Sequence, residues 1–405
     1  LDVAIIFSSE QRMKLEPFTI AIGDDLIEDL GRRLQAIRWP ESIEGIGWDE
    51  GTDRGFLQRL AEYWRSRFDW RVHEARLNAL PQFVAELDGL RIHFVHQRGR
   101  GPSPFPLVIT HGWPGSFVEM EKIIPLLADP AARGADPADA FDVVAPSLPG
   151  YGFSQQPPRP GFNPYLISDL WVRLMTGLGY RQFGAQGGDW GASVSTWLAF
   201  RFPEHVAGLH LNFIPGSYRP PLGAGEPPLS ADEKLFVDRA TAWLDAEGAY
   251  SHLHGTKPLT QAYGLTDSPI GLAAWIVEKF RAWSDCSGDM ESVFSLDELL
   301  TNISLYWFTG TIGSSMRLYR ENRLRPLRFA AGQRISPPLG VVAFPQEILM
   351  PPREWVERVY NVARWTPMPR GGHFAAMEAP ELLAAEIREF FRPLREGRAA
   401  ARQQL

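Results

Sequence analysis

The 405-residue chain contains a single cysteine, Cys286. One thiol excludes an internal disulfide framework and any cysteine-built zinc cluster, and it fits a reducing compartment such as the cytoplasm. Long apolar runs are missing too: none approaches the roughly 20 residues that span a bilayer, and no basic leader precedes the short apolar stretch at 3–7. Nor is there an excess of positive charge. The 41 Lys plus Arg stand against 48 Asp plus Glu, a net charge of −7, which excludes an electrostatic grip on nucleic acid or anionic membrane. No internal repeat is visible, and no His/Asp/Glu grouping has metal-ligand spacing, so neither a metal nor a cofactor is expected.

What is present is apolar and aromatic. Hydrophobic residues make up 44% of the chain and aromatics 12%, with 14 tryptophans, which excludes disorder and supplies a large core. At about 150 residues per domain, the length suggests two to three units. Met13-Lys14 reads as a natural start, so residues 1–12 are read as a leader or remnant. Residues 13–82 read as a helical segment. Asp24-Asp25 can cap a run with Leu26, Ile27, Leu30, Leu34 and Ile37 on one face, which Pro40 stops; Phe56, Leu57, Leu60, Tyr63, Trp64 and Phe68 follow at helical spacing.

From residue 83 the period becomes two. Runs at 83–87 and 90–97 flank Asp88-Gly89, a hairpin dipeptide. Short apolar runs at 106–110, 141–145, 183–186, 206–213 and 339–344 then alternate with helical stretches, which predicts an α/β fold: a mostly parallel sheet with helices on both faces. Strand signals vanish over 216–325, where Ile270, Ala273, Ala274, Val277 and Phe280 are spaced helically. The chain thus reads as a core of 83–215 and 326–405, interrupted by a helical insertion and closed by a helix starting at Pro380.

Chemistry concentrates in three places. Gly187-Gly188-Asp189-Trp190-Gly191 lies between a predicted strand and a helical run, the pattern of a nucleophile elbow with aspartate where serine is usual. The flanking glycines let strand and helix approach, and the helix N-terminus favours the ionised carboxylate. The competing reading is a Gly-rich turn whose Asp caps the helix. His111-Gly112-Trp113-Pro114-Gly115 follows the strand at 106–110, where the backbone N–H of Trp113 can pair with that of Trp190 to form an oxyanion hole; the competing reading is an ordinary turn stiffened by Pro114. Downstream, Glu347 and His373 complete the chain order nucleophile, acid, histidine. His205, His210, His252 and His254 read as surface or packing residues.

An aspartate in this place has a chemical consequence. Serine attacking a saturated carbon would leave an ether, whereas a carboxylate leaves an ester that water deprotonated by His373 can cleave. Asp189 therefore points to epoxide opening or halide displacement. An epoxide oxygen departs as an alkoxide and needs a proton donor such as tyrosine. Tyr218, Tyr250, Tyr263, Tyr306 and Tyr319 all lie in the insertion, and their residue type does not choose among them.

Taken together, HGWPGS at 111–116, PGYGFS at 149–154, GGDWG at 187–191, FPQE at 344–347 and RGGHFAAMEAPELL at 370–383 resemble the microsomal-type epoxide hydrolase family, over residues 15–393. The resemblance implies an α/β-hydrolase fold with a helical lid, Asp189 as nucleophile, His373 as base and Glu347 as its partner. It matches the family's lid tyrosines to Tyr250 and Tyr319, with Tyr306 as spare candidate and pocket residue. It implies no cofactor, and the partners would be an epoxide and water. Mammalian members carry a membrane anchor for which these residues offer no counterpart, so no membrane association is expected. Trp113 and Trp190 beside the oxyanion donors suggest an apolar pocket and a bulky hydrophobic or aromatic epoxide. Ala, Arg, Gly and Pro usage points to a high-GC bacterium, where relatives of this kind serve secondary metabolism such as enediyne assembly. A haloalkane dehalogenase and a non-catalytic binder of hydrophobic ligands on the same scaffold are the alternatives, and a homodimer through the lid or N-terminal arm is left open.

Overall fold

Asp88 and Gly89 both take positive φ (52° and 76°), the conformation a two-residue hairpin loop requires. Strands β2 (Gln82–Leu87) and β3 (Leu90–Gln97) accordingly pair antiparallel from Leu87 and Leu90 outward. In the computed structural model, which describes residues 13–223 and 225–403, this hairpin is one side of a single nine-stranded sheet. The other strands are β1 (Leu15–Phe18), β4 (Phe105–Thr110), β5 (Phe141–Pro146), β6 (Phe183–Gly187), β7 (Val206–Leu211), β8 (Ile335–Ala343) and β9 (Tyr360–Pro367). Their order is β1-β2-β3-β5-β4-β6-β7-β8-β9, antiparallel as far as β5 and parallel beyond it. Every residue of β5 and β6 is buried, which is why their sequences read as continuous apolar or small-residue runs.

The two edge strands differ from expectation. β1 lies within the segment expected to be helical, and β9 falls where no strand was expected. Both are partly exposed along their length, so their sequences mix polar and apolar residues and carry a weak signal. The first helix, Asp24–Gln35, is also capped differently: Gly23 is its N-cap, and Asp24 and Asp25 sit in the first turn, where their charges complement the dipole. The proposed leader at 1–12 lies outside the described residues.

Helices Arg54–Ser66 and Trp70–Asn78 are capped by Asp53 and Asp69 and brace the insertion. Trp64 Nε1 donates to Ser304 Oγ at 3.1 Å, and Tyr63 donates to Asp297 at 3.0 Å. Each such bond contributes about 1 kcal/mol net. Between Ala231 and Leu324 the described residues form α-helices and no strand. Ser230 and Ser295 close capping boxes with Glu233 and Glu298, and Pro258 and Pro269 open two further helices. Among the described residues no helix is long and apolar enough to cross a membrane. The segments that follow the C-terminal ends of β4, β6, β8 and β9 converge at the end of the sheet where open α/β folds bind their ligands.

Candidate active site

The chain leaves β6 at Gly187 and enters the helix Asp189–Arg201 almost at once. Asp189 pays for this sharp turn with φ of 44°, a conformation costing roughly 1–3 kcal/mol for a non-glycine residue. Packing holds it there. A Cβ on Gly191 would fall 1.9 Å from the Thr110 carbonyl oxygen, so only glycine lets the helix meet β4 this closely. The Asp189 carboxylate Oδ1 accepts the Trp113 N–H at 2.7 Å. Its Oδ2 lies 3.5 Å from His373 Nε2. The two carboxylate oxygens therefore have different surroundings: one is held by a backbone donor, the other faces the histidine. The Trp190 N–H closes no hydrogen bond to the carboxylate.

The loop carrying Trp113, which includes a cis Trp113–Pro114 peptide, is fixed from both sides. His111 accepts the Leu148 N–H on Nε2 at 3.1 Å, so its Nδ1–H donates to the Gly112 carbonyl at 3.0 Å; burial pushes its pKa down to about 4 and keeps it neutral. From the helix Leu296–Thr309, Asn302 Nδ2 donates to the Pro114 carbonyl and accepts Ser116 Oγ on Oδ1, both at 2.8 Å. Tyr306, one turn further on, donates to the Gly115 carbonyl at 2.7 Å. This corrects the expectation for Tyr306. Its hydroxyl is occupied by the loop, and it does not border the large cavity described below.

His373 Nδ1 and Glu347 Oε1 are 2.6 Å apart, with the Glu347 side chain fully enclosed. Glu347 Oε1 also accepts the Ile348 N–H at 2.7 Å. The histidine loop is pinned to the insertion: the His373 N–H donates to the Trp283 carbonyl at 2.9 Å, and the Gly371 N–H to Asp285 at 2.8 Å. Burial by itself lowers the His373 pKa. The negative charge of Glu347 and hydrogen bonds to Asp189 and Glu347 outweigh it, and the net shift is well above the ordinary value.

A cavity of about 590 Å³ opens over Asp189, walled by Trp190, Phe236, Trp243, Tyr250 and Tyr319 among others. Tyr250 and Tyr319 hydrogen-bond each other, their rings 5.8 Å apart and nearly perpendicular. Burial raises both phenols above their ordinary pKa; Asp189 raises Tyr250 next, whereas for Tyr319 it follows Tyr250. Both protons are thus held on the ring oxygens. The Trp113 indole, fully buried, stacks on Tyr250 at 5.4 Å and meets Tyr319 edge-on at 5.7 Å. It does not border the large cavity, so its ring supports the tyrosines from behind; Trp190 does border it. His254, expected to be a packing residue, is fully buried, edge-on to Tyr319 at 4.8 Å and accepting from Trp275 Nε1 at 3.1 Å.

The family described as "Epoxide hydrolase N terminus" matches residues 15–120, and "alpha/beta hydrolase fold" matches residues 106–226. Epoxide hydrolase 1 of Oryctolagus cuniculus is 41% identical over 93% of this chain and 88% of its own length. The chain belongs to the microsomal-type epoxide hydrolase family. A second relative of this family member, from Stigmatella aurantiaca, is 47% identical over 94% of this chain and 86% of that protein. The solved structure of Aspergillus niger epoxide hydrolase superposes with a TM-score of 0.82 at 33% identity, covering 96% of this chain and 99% of the other. The protein is therefore a hydrolase acting on epoxides, with the α/β-hydrolase fold.

Of the site residues expected in this epoxide hydrolase, Asp189, His373, Glu347, Tyr250, Tyr319, Trp113 and Trp190 come together, and Tyr306 turns to the loop behind them. Sequence reasoning missed Asn302 and Glu119. Nothing local marks Asn302. Glu119, four residues beyond Gly115, is an acidic residue set among the apolar Phe117, Val118 and Met120 and could have been noticed on that ground.

Proposed function

We propose that the enzyme opens its epoxide through a covalent ester on Asp189. The observation that carries this reading is the division of the Asp189 carboxylate between Trp113 N–H and His373, on the floor of a cavity whose wall contains two protonated tyrosines. Asp189 attacks an epoxide carbon; the C–O bond of the ring breaks, and Tyr250 and Tyr319 donate to the departing oxygen. The charge that helps raise the tyrosine pKa values is consumed in that step, so donation becomes easier as the alkoxide forms. Ester formation also removes the Asp189 charge that favours the His373 cation. The imidazole is then freer to act as a base, taking a proton from the water that attacks the Asp189 carboxyl carbon. The Trp113 N–H, joined by the Trp190 N–H as the carboxylate moves, stabilises the tetrahedral oxyanion.

The division 13–82, 83–215, 216–325 and 326–405 fits this role, with the inserted helices as a lid that walls the cavity. Its size and aromatic lining support a bulky hydrophobic or aromatic epoxide. Single turnover of styrene oxide in ¹⁸O-water, followed by peptide mass spectrometry, tests the reading. Label is expected in Asp189, with the first-turnover diol unlabelled. A first-turnover diol that carries the label directly would overturn the ester route.

A further inference from the structure

One acidic group beside the triad has no part in this scheme. Glu119 lies in the short turn Phe117–Met120 that follows the donor loop, and its carboxylate folds back onto that loop. It fills the space in which a side chain at position 115 would stand: a Cβ on Gly115 would be 1.4 Å from its Oε1. Glycine after Pro114 therefore makes room for this carboxyl group. The backbone of Gly112 hydrogen-bonds to it.

The carboxyl group borders a second, small cavity of about 20 Å³, whose other polar neighbours include Asp189, His373, Gln186 and Asn212. A site of this kind needs roughly 10–15 Å³ and two to four polar partners to hold one water. Among the described residues Asp189 alone borders both cavities. The small one thus gives access to the nucleophile without passing through the space the substrate fills.

We propose that this small cavity seats the hydrolytic water, and that Glu119 is a positioning residue which, with His373, aims that water at the Asp189 carboxyl carbon. The proposal rests on the ester reading above. One water hydrogen points to His373 Nε2 and the other to a Glu119 oxygen, which leaves a lone pair directed at the ester carbon. As the new C–O bond forms, the first proton passes to His373. Collapse of the tetrahedral intermediate breaks the bond to the substrate oxygen, which takes that proton back and leaves as the diol. The second water proton stays on the Asp189 carboxyl and is then lost to the tyrosine that gave its proton to the epoxide oxygen, which restores the carboxylate and both phenols. Glu119 holds the second hydrogen bond until that last transfer and neither gains nor loses a proton.

The charge state of Glu119 suits this role. Burial drives its pKa up to about 8; the His373 cation opposes the rise, the Asp189 charge adds to it, and the Gly112 hydrogen bond again opposes it. The other ionisable groups that sense it, Tyr151 and Tyr306, are buried neutral phenols. At neutral pH the group is therefore mostly uncharged. It offers a carbonyl acceptor without placing a second negative charge next to Asp189, where it would hold His373 in the cationic form that cannot act as base.

Rapid-quench turnover of styrene oxide, with the ester followed by mass spectrometry of the intact full chain, tests the proposal. In Glu119→Ala, ester formation should stay within about threefold of wild type while ester breakdown slows on the order of 10²-fold, the loss typical of a misplaced reactant. Glu119→Gln, whose amide carbonyl still accepts, should recover breakdown to within about tenfold of wild type. If Glu119→Ala does not fold, Glu119→Asp, which withdraws the acceptor by one methylene, should show the same selective slowing. Breakdown at the wild-type rate in Ala or Asp overturns the proposal, as does equal slowing of both steps or failure of Gln to rescue. Wild-type enzyme that forms no ester overturns the ester reading itself, and this proposal with it; the two failures are therefore distinguishable.

Discussion

The two cavities that meet at Asp189 are built on opposite principles. The large one, about 590 Å³, is walled by tryptophans, phenylalanines and tyrosines, Tyr250 and Tyr319 among them; the small one, about 20 Å³, has His373, Glu119, Gln186 and Asn212 among its neighbours. The first is mainly apolar next to Asp189 and offers neutral tyrosine donors, which suits a hydrophobic epoxide whose oxygen must be protonated as its ring opens. Its low dielectric also strengthens every charge interaction inside it. The second has room for a single water and polar groups to orient it. On the ester reading proposed above, the contrast means that one carboxylate serves two incompatible reactions from separate sides: alkylation from the large, apolar or dry side, hydrolysis from the small, polar or wet one.

That division can be broken experimentally. The largest effect is expected for Asp189→Ala, which removes the residue common to both sides. Turnover should fall by a factor on the order of 10⁴ or more, with no adduct by mass spectrometry; an adduct in this variant would place the nucleophile elsewhere. His373→Gln should disable only the wet side. Ester should accumulate to about one per chain, with breakdown slowed by roughly 10²–10⁴, and burst kinetics without a trapped ester would contradict the base assignment. Tyr250→Phe and Tyr319→Phe act on the dry side. Each should slow ester formation by about 10–10² and the double variant by more, with ester breakdown unchanged; slowed breakdown would mean that the sides are not separate.

The smallest effect sharpens the comparison by pH. His373 works as a base only when neutral, so ester breakdown should decline as pH falls through its pKa. In the free enzyme Glu347 and Asp189 together hold that pKa well above the ordinary value; ester formation removes the Asp189 charge, so the acid limb of ester breakdown should lie at lower pH than the titration of His373 in the free enzyme. Replacing Glu347 by Gln removes one of the anions that favour the cation and should move the acid limb to lower pH, as read from single-turnover hydrolysis profiles. An unmoved limb would separate Glu347 from the histidine's titration.

How far the sequence carried this picture depended on how local each feature is. The elbow at 187–191, the donor loop at 111–115 and the hairpin at Asp88-Gly89 are written by neighbouring residues, because a strained turn or close backbone approach demands glycine at fixed spacing. Glu347 and His373 were found by chain order, but their separation had to be closed by folding, through contacts such as Gln346 N–H to the Gly371 carbonyl. Tyr306 was misread for the same reason that Asn302 was missed. Their partners in the donor loop lie 191 and 188 residues away in sequence, and nothing in the helix Leu296–Thr309 distinguishes a side chain that holds a loop from one that lines a pocket. β1 and β9 escaped because edge strands alternate between packing and solvent over only a few residues.

The sequence by itself determined the chemistry available to this epoxide hydrolase: an aspartate at a strained elbow, a histidine and glutamate in the right order, and tyrosines in an inserted helical segment. Those follow from residue type and short-range backbone geometry. Only the tertiary structure decided which tyrosines face Asp189, which oxygen of Asp189 meets which partner, and that a glutamate folds into the space left by Gly115. Such choices depend on how helices and loops far apart in the chain dock against one another, where shifts of an ångström decide whether a side chain donates, packs or encloses water.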